Sequence, residues 1–116
     1  DSFVVTKGLD GCLFVYDMTE WKSFEEKLKE LPMSHRDTRK FARFFLAGAS
    51  QVEVDKQGRI LIPNVLREFA GLEKDVVFLG VGNRIEIWSR QAWDGEGNFD
   101  DMDDIAERMA DLGLSI

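Results

Sequence analysis

Asp55, Lys56, Gln57, Gly58 and Arg59 stand side by side near the middle of a 116-residue chain. Five consecutive positions therefore hold a carboxylate, an ammonium, an amide, a glycine and a guanidinium. Lys56 and Arg59 are cations able to neutralise phosphate oxygens, and a guanidinium can make a paired contact with a guanine edge. Gln57 can meet an adenine or a phosphate. Asp55 has the wrong charge for a polyanion, so its natural task is a charge-assisted bond that orients Arg59. A plainer reading of the same pair is an ion bridge that only holds the fold. Gly58 is the residue type that most easily turns with φ > 0.

Catalysis fits the chain poorly. His35 is the only histidine and Cys12 the only cysteine. No Ser/His/Asp set and no Cys/His cluster can be assembled from them, so no catalytic residue, metal or cofactor is expected and the chain does not read as an enzyme. His35 reads as a surface residue. Gly8-Leu9-Asp10-Gly11 lacks the Gly-Lys-Ser/Thr ending of a phosphate loop and the glycine spacing of a dinucleotide turn. A single cysteine rules out an intrachain disulfide and fits a reducing, cytoplasmic compartment. No apolar run reaches the length of a membrane span, and no signal peptide opens the sequence, so no membrane partner is expected.

A net charge of −7 is the wrong sign for a partner of nucleic acids. Its distribution removes the objection. Residues 94–116 hold eight acids against one base, while residues 1–93 balance at 14 of each. The body is neutral and the tail carries the excess, so a local basic surface is allowed. Such a tail would repel phosphate over about one Debye length, ~8 Å at physiological salt.

The elements around the cluster follow from periodicity. Val52 and Val54 alternate with polar residues as a half-buried strand does, and Ile60 and Ile62 resume the alternation after the charged break. Pro63 closes that second strand. The run Asn64–Leu72 reads as a short helix with Gly71 at its C′ end. Upstream, Phe3–Thr6 and Cys12–Tyr16 form a hairpin about Gly8–Gly11. Asp17 and Glu20 have the spacing of a capping box, and Met18, Trp21, Phe24, Leu28 and Leu31 follow at helical intervals until Pro32. Ser34 is expected to cap a further helix, with Phe41, Phe44, Phe45 and Ala49 on one face. Arg36, Arg39, Lys40 and Arg43 share the opposite face, either as a solvated or subunit-pairing stripe or as a phosphate-contacting one. Downstream, Val76–Leu79 and Arg84–Trp88 flank a Gly82-Asn83 turn, Ser89 caps a short helix holding Trp93, and Asp94–Asn98 breaks the chain. An amphipathic helix over residues 99–112 precedes Gly113.

The two hairpins repeat each other. A shift of 72 residues lays Val4, Val5, Gly8 and Trp21 on Val76, Val77, Gly80 and Trp93, and Leu13, Val15 and Tyr16 on Ile85, Ile87 and Trp88, without a gap. Such a repeat means two structural units.

The run from Asp55 to Leu72, with its Asp-Lys-x-Gly-Arg turn, Pro63, Arg67 and Gly71-Leu72, resembles the SpoVT/AbrB-type DNA-binding element. Two units of this kind joined by a helical linker, with Gly8–Leu13, Arg43-Phe44-Phe45 and Asn83–Trp88, resemble the MraZ family of bacterial transcriptional regulators of the division and cell-wall gene cluster. The resemblance covers residues 1 to about 93. It implies an α+β fold of two swapped-hairpin units in pseudo-two-fold repeat with flanking helices. It also implies a homo-oligomeric ring, nucleoid association, and double-stranded promoter repeats bound through the turns, with Asp55, Lys56, Gln57, Gly58 and Arg59 as the binding residues. Arg67 is expected to be structural. The first motif copy would lie about twenty residues before Asp1 and is absent from this sequence, which is then a fragment or is numbered from a later residue. Expected boundaries are residues 1–49 for the first unit with its linker, 50–93 for the second, and 94–116 for the acidic tail. An oligomeric protein-interaction module is the alternative function.

Overall fold

A computed structural model describes residues 2–116. Two hairpins dominate it: β1 (Ser2–Lys7) with β2 (Leu13–Asp17), and β4 (Val76–Val81) with β5 (Arg84–Ser89). A short strand, β3 (Ser50–Glu53), completes one sheet of order β3-β1-β2-β5-β4, antiparallel throughout. Among the described residues five α-helices accompany it, so the α+β expectation holds. β3 leads into the charged cluster of the second half, yet it pairs with β1 of the first, as Phe3↔Val52 shows.

The hairpins meet where β2 pairs with β5, as Leu13↔Ile87, Phe14↔Glu86 and Val15↔Ile85. Glu86 is the 72-residue copy of Phe14. The central pair is thus a position facing its own repeat, and a local two-fold axis passes between them. The gapless repeat does not carry over to pairing within the hairpins. Val4 pairs with Tyr16, but of their copies Val76 pairs with Ser89, and Trp88 with Val77. The first hairpin closes through a broad loop over Gly8–Cys12 and the second through Gly82-Asn83 alone, which slips the register by one. A slip of one residue turns a strand over. Val77 and Leu79 accordingly pack on the opposite sheet face from Val5, the residue that Val77 copies.

The two faces differ in chemistry. Phe14, Tyr16, Trp21, Phe45 and Trp88 build an aromatic core on one, and Val5, Leu13, Val15, Leu66 and Ile87 an aliphatic core on the other. α1 (Met18–Lys29) covers the aromatic face through buried Trp21 and Leu28. Asp17 caps it as its spacing foretold, accepting from the Glu20 N–H at 2.7 Å. α2 (Arg36–Ala42) starts from His35 with no side-chain cap, so Ser34 does not play that role. Ser34 lies in a turn closed by His35 N–H to the Pro32 carbonyl at 3.2 Å. The Arg39 guanidinium clamps the Met33 and Ser34 carbonyls, at 3.0 Å each.

α2 continues into a π-helical turn, Arg43–Ala47. The four residues expected to share one apolar face divide there: Phe45 is buried, Phe44 and Ala49 half-buried, and Phe41 exposed. Ala49 N–H bonds to Leu46, and the Phe45 carbonyl receives the hydroxyl of fully buried Thr6 at 2.7 Å instead.

Beyond the charged cluster, Ile60–Ile62 forms no strand. Ile60 and Ile62 pack on the aliphatic core, which explains their alternation, but only β1 offers β3 a ladder. α3 (Asn64–Ala70) ends as expected at Gly71, which takes φ +63. Ser89 caps α4 (Arg90–Glu96), accepting from Ala92 N–H at 3.0 Å. That helix runs through Asp94-Gly95-Glu96, part of the expected break, since one exposed glycine costs a helix only about 1 kcal/mol. The break falls at Gly97, where a Cβ would lie 2.9 Å from the Trp93 carbonyl. α5 (Met102–Asp111) begins three residues later than Phe99, and Gly113 follows it.

Thr6→Val keeps the volume of a fully buried side chain and strands the Phe45 carbonyl. Denaturant unfolding should show a loss of about 1–3 kcal/mol, the cost of leaving one buried acceptor unpaired. A loss near zero would mean that water reaches this carbonyl.

Candidate nucleic-acid interface

All five residues singled out by type and spacing lie on one exposed turn between β3 and α3. The turn is built around the Asp55 carboxylate. One oxygen, Oδ1, accepts the backbone N–H groups of Gln57 at 2.9 Å and Arg59 at 2.8 Å. The other, Oδ2, accepts Arg59 Nε–H at 3.2 Å. Arg59 Nη2 in turn donates to the Gln57 side-chain carbonyl at 3.2 Å. Backbone bonds from Asp55 N–H to Arg59 and from Gly58 N–H to Asp55, at 2.8 and 3.0 Å, close the loop. Gly58 takes φ +79, where a side chain would be strained.

This network leaves the cations outward. The Arg59 side chain is 72% exposed, and Lys56 forms no ion pair among the described residues. The Asp55–Arg59 bridge therefore gains little from charge attraction alone in solvent. Its value is directional: it fixes the guanidinium plane and pins two backbone N–H groups at once. Asp55 is held below its ordinary 3.8, chiefly by the Arg59 backbone N–H, partly against desolvation, and further by the Gln57 N–H and the Arg59 side chain. Buried Val52 behind the turn and Ile60 and Ile62 after it anchor the loop to the aliphatic core.

Arg67 lies apart from this set, on α3, and donates to Asn64 Oδ1 at 3.1 Å, a local helix contact. Arg36, Lys40 and Arg43 on α2 are exposed and form no ion pair among the described residues. Cys12 is no nucleophile, because burial raises its thiol to about 12 and keeps it protonated. Sequence reasoning passed over Arg84 and Glu86. Arg84 lies with its guanidinium carbon 3.9 Å from the Phe14 ring centre and Nη2 3.5 Å from Glu86, which also accepts Trp88 Nε1–H at 3.0 Å. An Arg-x-Glu-x-Trp run puts all three on one strand face, and that spacing was the available signal.

The family model described as "MraZ protein, putative antitoxin-like" matches residues 1–44 and again 45–112, so the match runs past Trp93 into the acidic tail. A protein of Thermoanaerobacter sp. (strain X514) named "Transcriptional regulator MraZ" is 56% identical over 116 residues, covering 98% of this chain and 81% of its own length. Relatives of the same name from Clostridium beijerinckii and Natranaerobius thermophilus are 55% and 52% identical, each over 98% of this chain and 81% of their own lengths.

The depressed Asp55 carboxyl sets a pH dependence for the turn. Its bonds favour the charged form, so their contribution is complete above 3.8 and is lost as pH falls through the lower folded-state value. A carboxyl NMR titration should give a midpoint below 3.8, with the Gln57 and Arg59 amide shifts following it. An Asp55 midpoint at or above the ordinary value, with those amides unmoved, would contradict the network.

Proposed function

This chain belongs to the MraZ family, and from that premise we propose that it is a transcriptional regulator that binds double-stranded DNA through the Asp55–Arg59 turn. The observation that carries this reading is the turn itself. Lys56 and Arg59 are displayed in solvent, and the Asp55 carboxylate of the same turn is engaged in three hydrogen bonds that fix the loop and orient Arg59. Polyanion binding needs outward cations, and sequence reading needs a guanidinium of fixed direction. Relatives named as regulators of transcription, and not as enzymes, support the same class.

The finer parts of the reading are these. The targets are repeated elements in the promoter of the division and cell-wall genes, and the protein works at the nucleoid. Several identical subunits form a ring, so that individually modest turn contacts act together by avidity on repeated sites. Lys56 supplies phosphate contact, Arg59 reads a base edge, Gln57 assists it, Gly58 permits the bend, and Asp55 positions Arg59. The units are residues 1–49, 50–93 and 94–116. The acidic tail supports one competing reading, a protein-interaction module whose basic turns meet acidic partners.

Titration of promoter and scrambled DNA with the wild type and single variants separates these. Arg59→Ala should cost about 1–3 kcal/mol on promoter DNA and relax preference at the base it reads. Lys56→Ala should weaken binding to both DNAs alike and lower the salt slope by about one. Equal affinity of wild type and both variants for both DNAs, with folding and assembly intact, would leave the interaction module.

A further inference from the structure

α5 is an amphipathic helix whose apolar face is only partly covered. Met102, Ile105, Ala106 and Met109 recur at intervals of three and four, the stripe of a helix that packs on something. Met102 is exposed and Ile105, Ala106 and Met109 are half-buried, and no residue of α5 is fully buried. Leu112 and Leu114 beyond it are exposed as well. Asp103, Asp104, Glu107 and Asp111 surround the stripe. Among the described residues no hydrogen bond or ion pair joins α5 to any other helix or strand.

The surface formed by α1, α2 and the first hairpin loop has the complementary character. Phe41 is exposed between two shallow apolar grooves. One, of about 340 Å³, is lined by Leu9, Phe44 and Lys40, with Asp37 at its edge. The other, of about 250 Å³, is lined by Phe24, Leu31 and Lys27. Arg36, Lys40 and Arg43 lie along α2 beside them, exposed, and form no ion pair among the described residues. Each groove has one lysine in its lining, Lys40 or Lys27, neither in an ion pair among the described residues, and an apolar groove with a free cation at its wall suits an acidic amphipathic helix.

We infer that α5 of one copy docks in the α1/α2 grooves of a second copy, with its acids on the Arg36–Lys40–Arg43 stripe. The inference rests on the assembly reading above and gives that assembly an interface. The two surfaces are different patches of one chain, so the contact is head-to-tail. Each subunit offers one of each, and the chain of contacts closes into a ring if the rotation between neighbours permits. The stripe on α2 then serves subunits, and DNA is left to the turns.

The test is sedimentation velocity of the full chain across a concentration series at ~0.15 M salt. Wild type should sediment as a multiple of 13.3 kDa. Lys40→Glu with Arg43→Glu, and separately Asp103→Lys with Glu107→Lys, should each move the assembly midpoint to roughly tenfold higher concentration or more, since each replaces attraction by repulsion. Combining the four should return it to near the wild-type value, with circular dichroism confirming that every variant is folded. Unchanged assembly in both pairs overturns the inference, as does a folded combined variant that stays dissociated. Reduced DNA affinity of the α2 pair with assembly intact also overturns it, by assigning the stripe to DNA. A wild type that is monomeric throughout removes the assembly reading itself, a result distinct from all of these.

Discussion

The pairing of β2 with β5 is the constraint on which the molecule depends. It joins two hairpins into one sheet and sets Phe14 opposite its own repeat position, Glu86. The chemistry at this axis is unsymmetrical although the backbone is nearly symmetrical. One side presents an aromatic ring, and the other a carboxylate bound to Trp88 and Arg84. The Arg84 guanidinium closes the gap by lying over the Phe14 ring. Half-buried charges persist only with partners on most sides, and among the described residues Arg84 Nε is the buried side-chain nitrogen that goes without one. With the hairpins locked, β1 is held between β2 and β3. β3 in turn supports the charged turn.

That chain of support matters because the turn has little stability of its own. It is exposed, and its ion pair is screened by water. What it gains from the sheet is a fixed base, and from Asp55 a fixed tip. A side chain already held in direction loses less freedom when it meets a ligand. Asp55 is thus useful to a cationic site despite its charge, because it reduces the disorder of the cation beside it.

How much of this could be read from the sequence depended on how local the cause was. Capping by Asp17 and Ser89, the Gly71 helix end, both hairpins and the Asp55–Arg59 contact each arise within a few residues, and each was legible. The misreadings trace to distant partners. Ile60 and Ile62 alternate because a core lies beneath one side, yet a strand also needs a neighbour's ladder. Ser34 has the right chemistry for a cap, but it stands one residue before the cap position, which His35 occupies. The gapless repeat hid the slip in β4, because loop geometry sets register and Val4 and Val5 recur unchanged as Val76 and Val77. The division of Phe41, Phe44 and Phe45 depends on the π turn, which periodicity of 3.6 does not anticipate.

The strand order also bears on how the chain folds during synthesis. Of these strands, β1 and β2 are made before the others, with α1 soon behind them. Their outer neighbours come much later, since β3 ends at Glu53 and β5 at Ser89. At ribosomal speeds of about 5–20 residues per second, the first hairpin waits seconds for β3 and β5. Unpaired edges are templates for any other strand within reach, including the same hairpin on a neighbouring nascent chain. The crossed pairing that unites the halves in the finished protein therefore makes the first half depend on the second from the start.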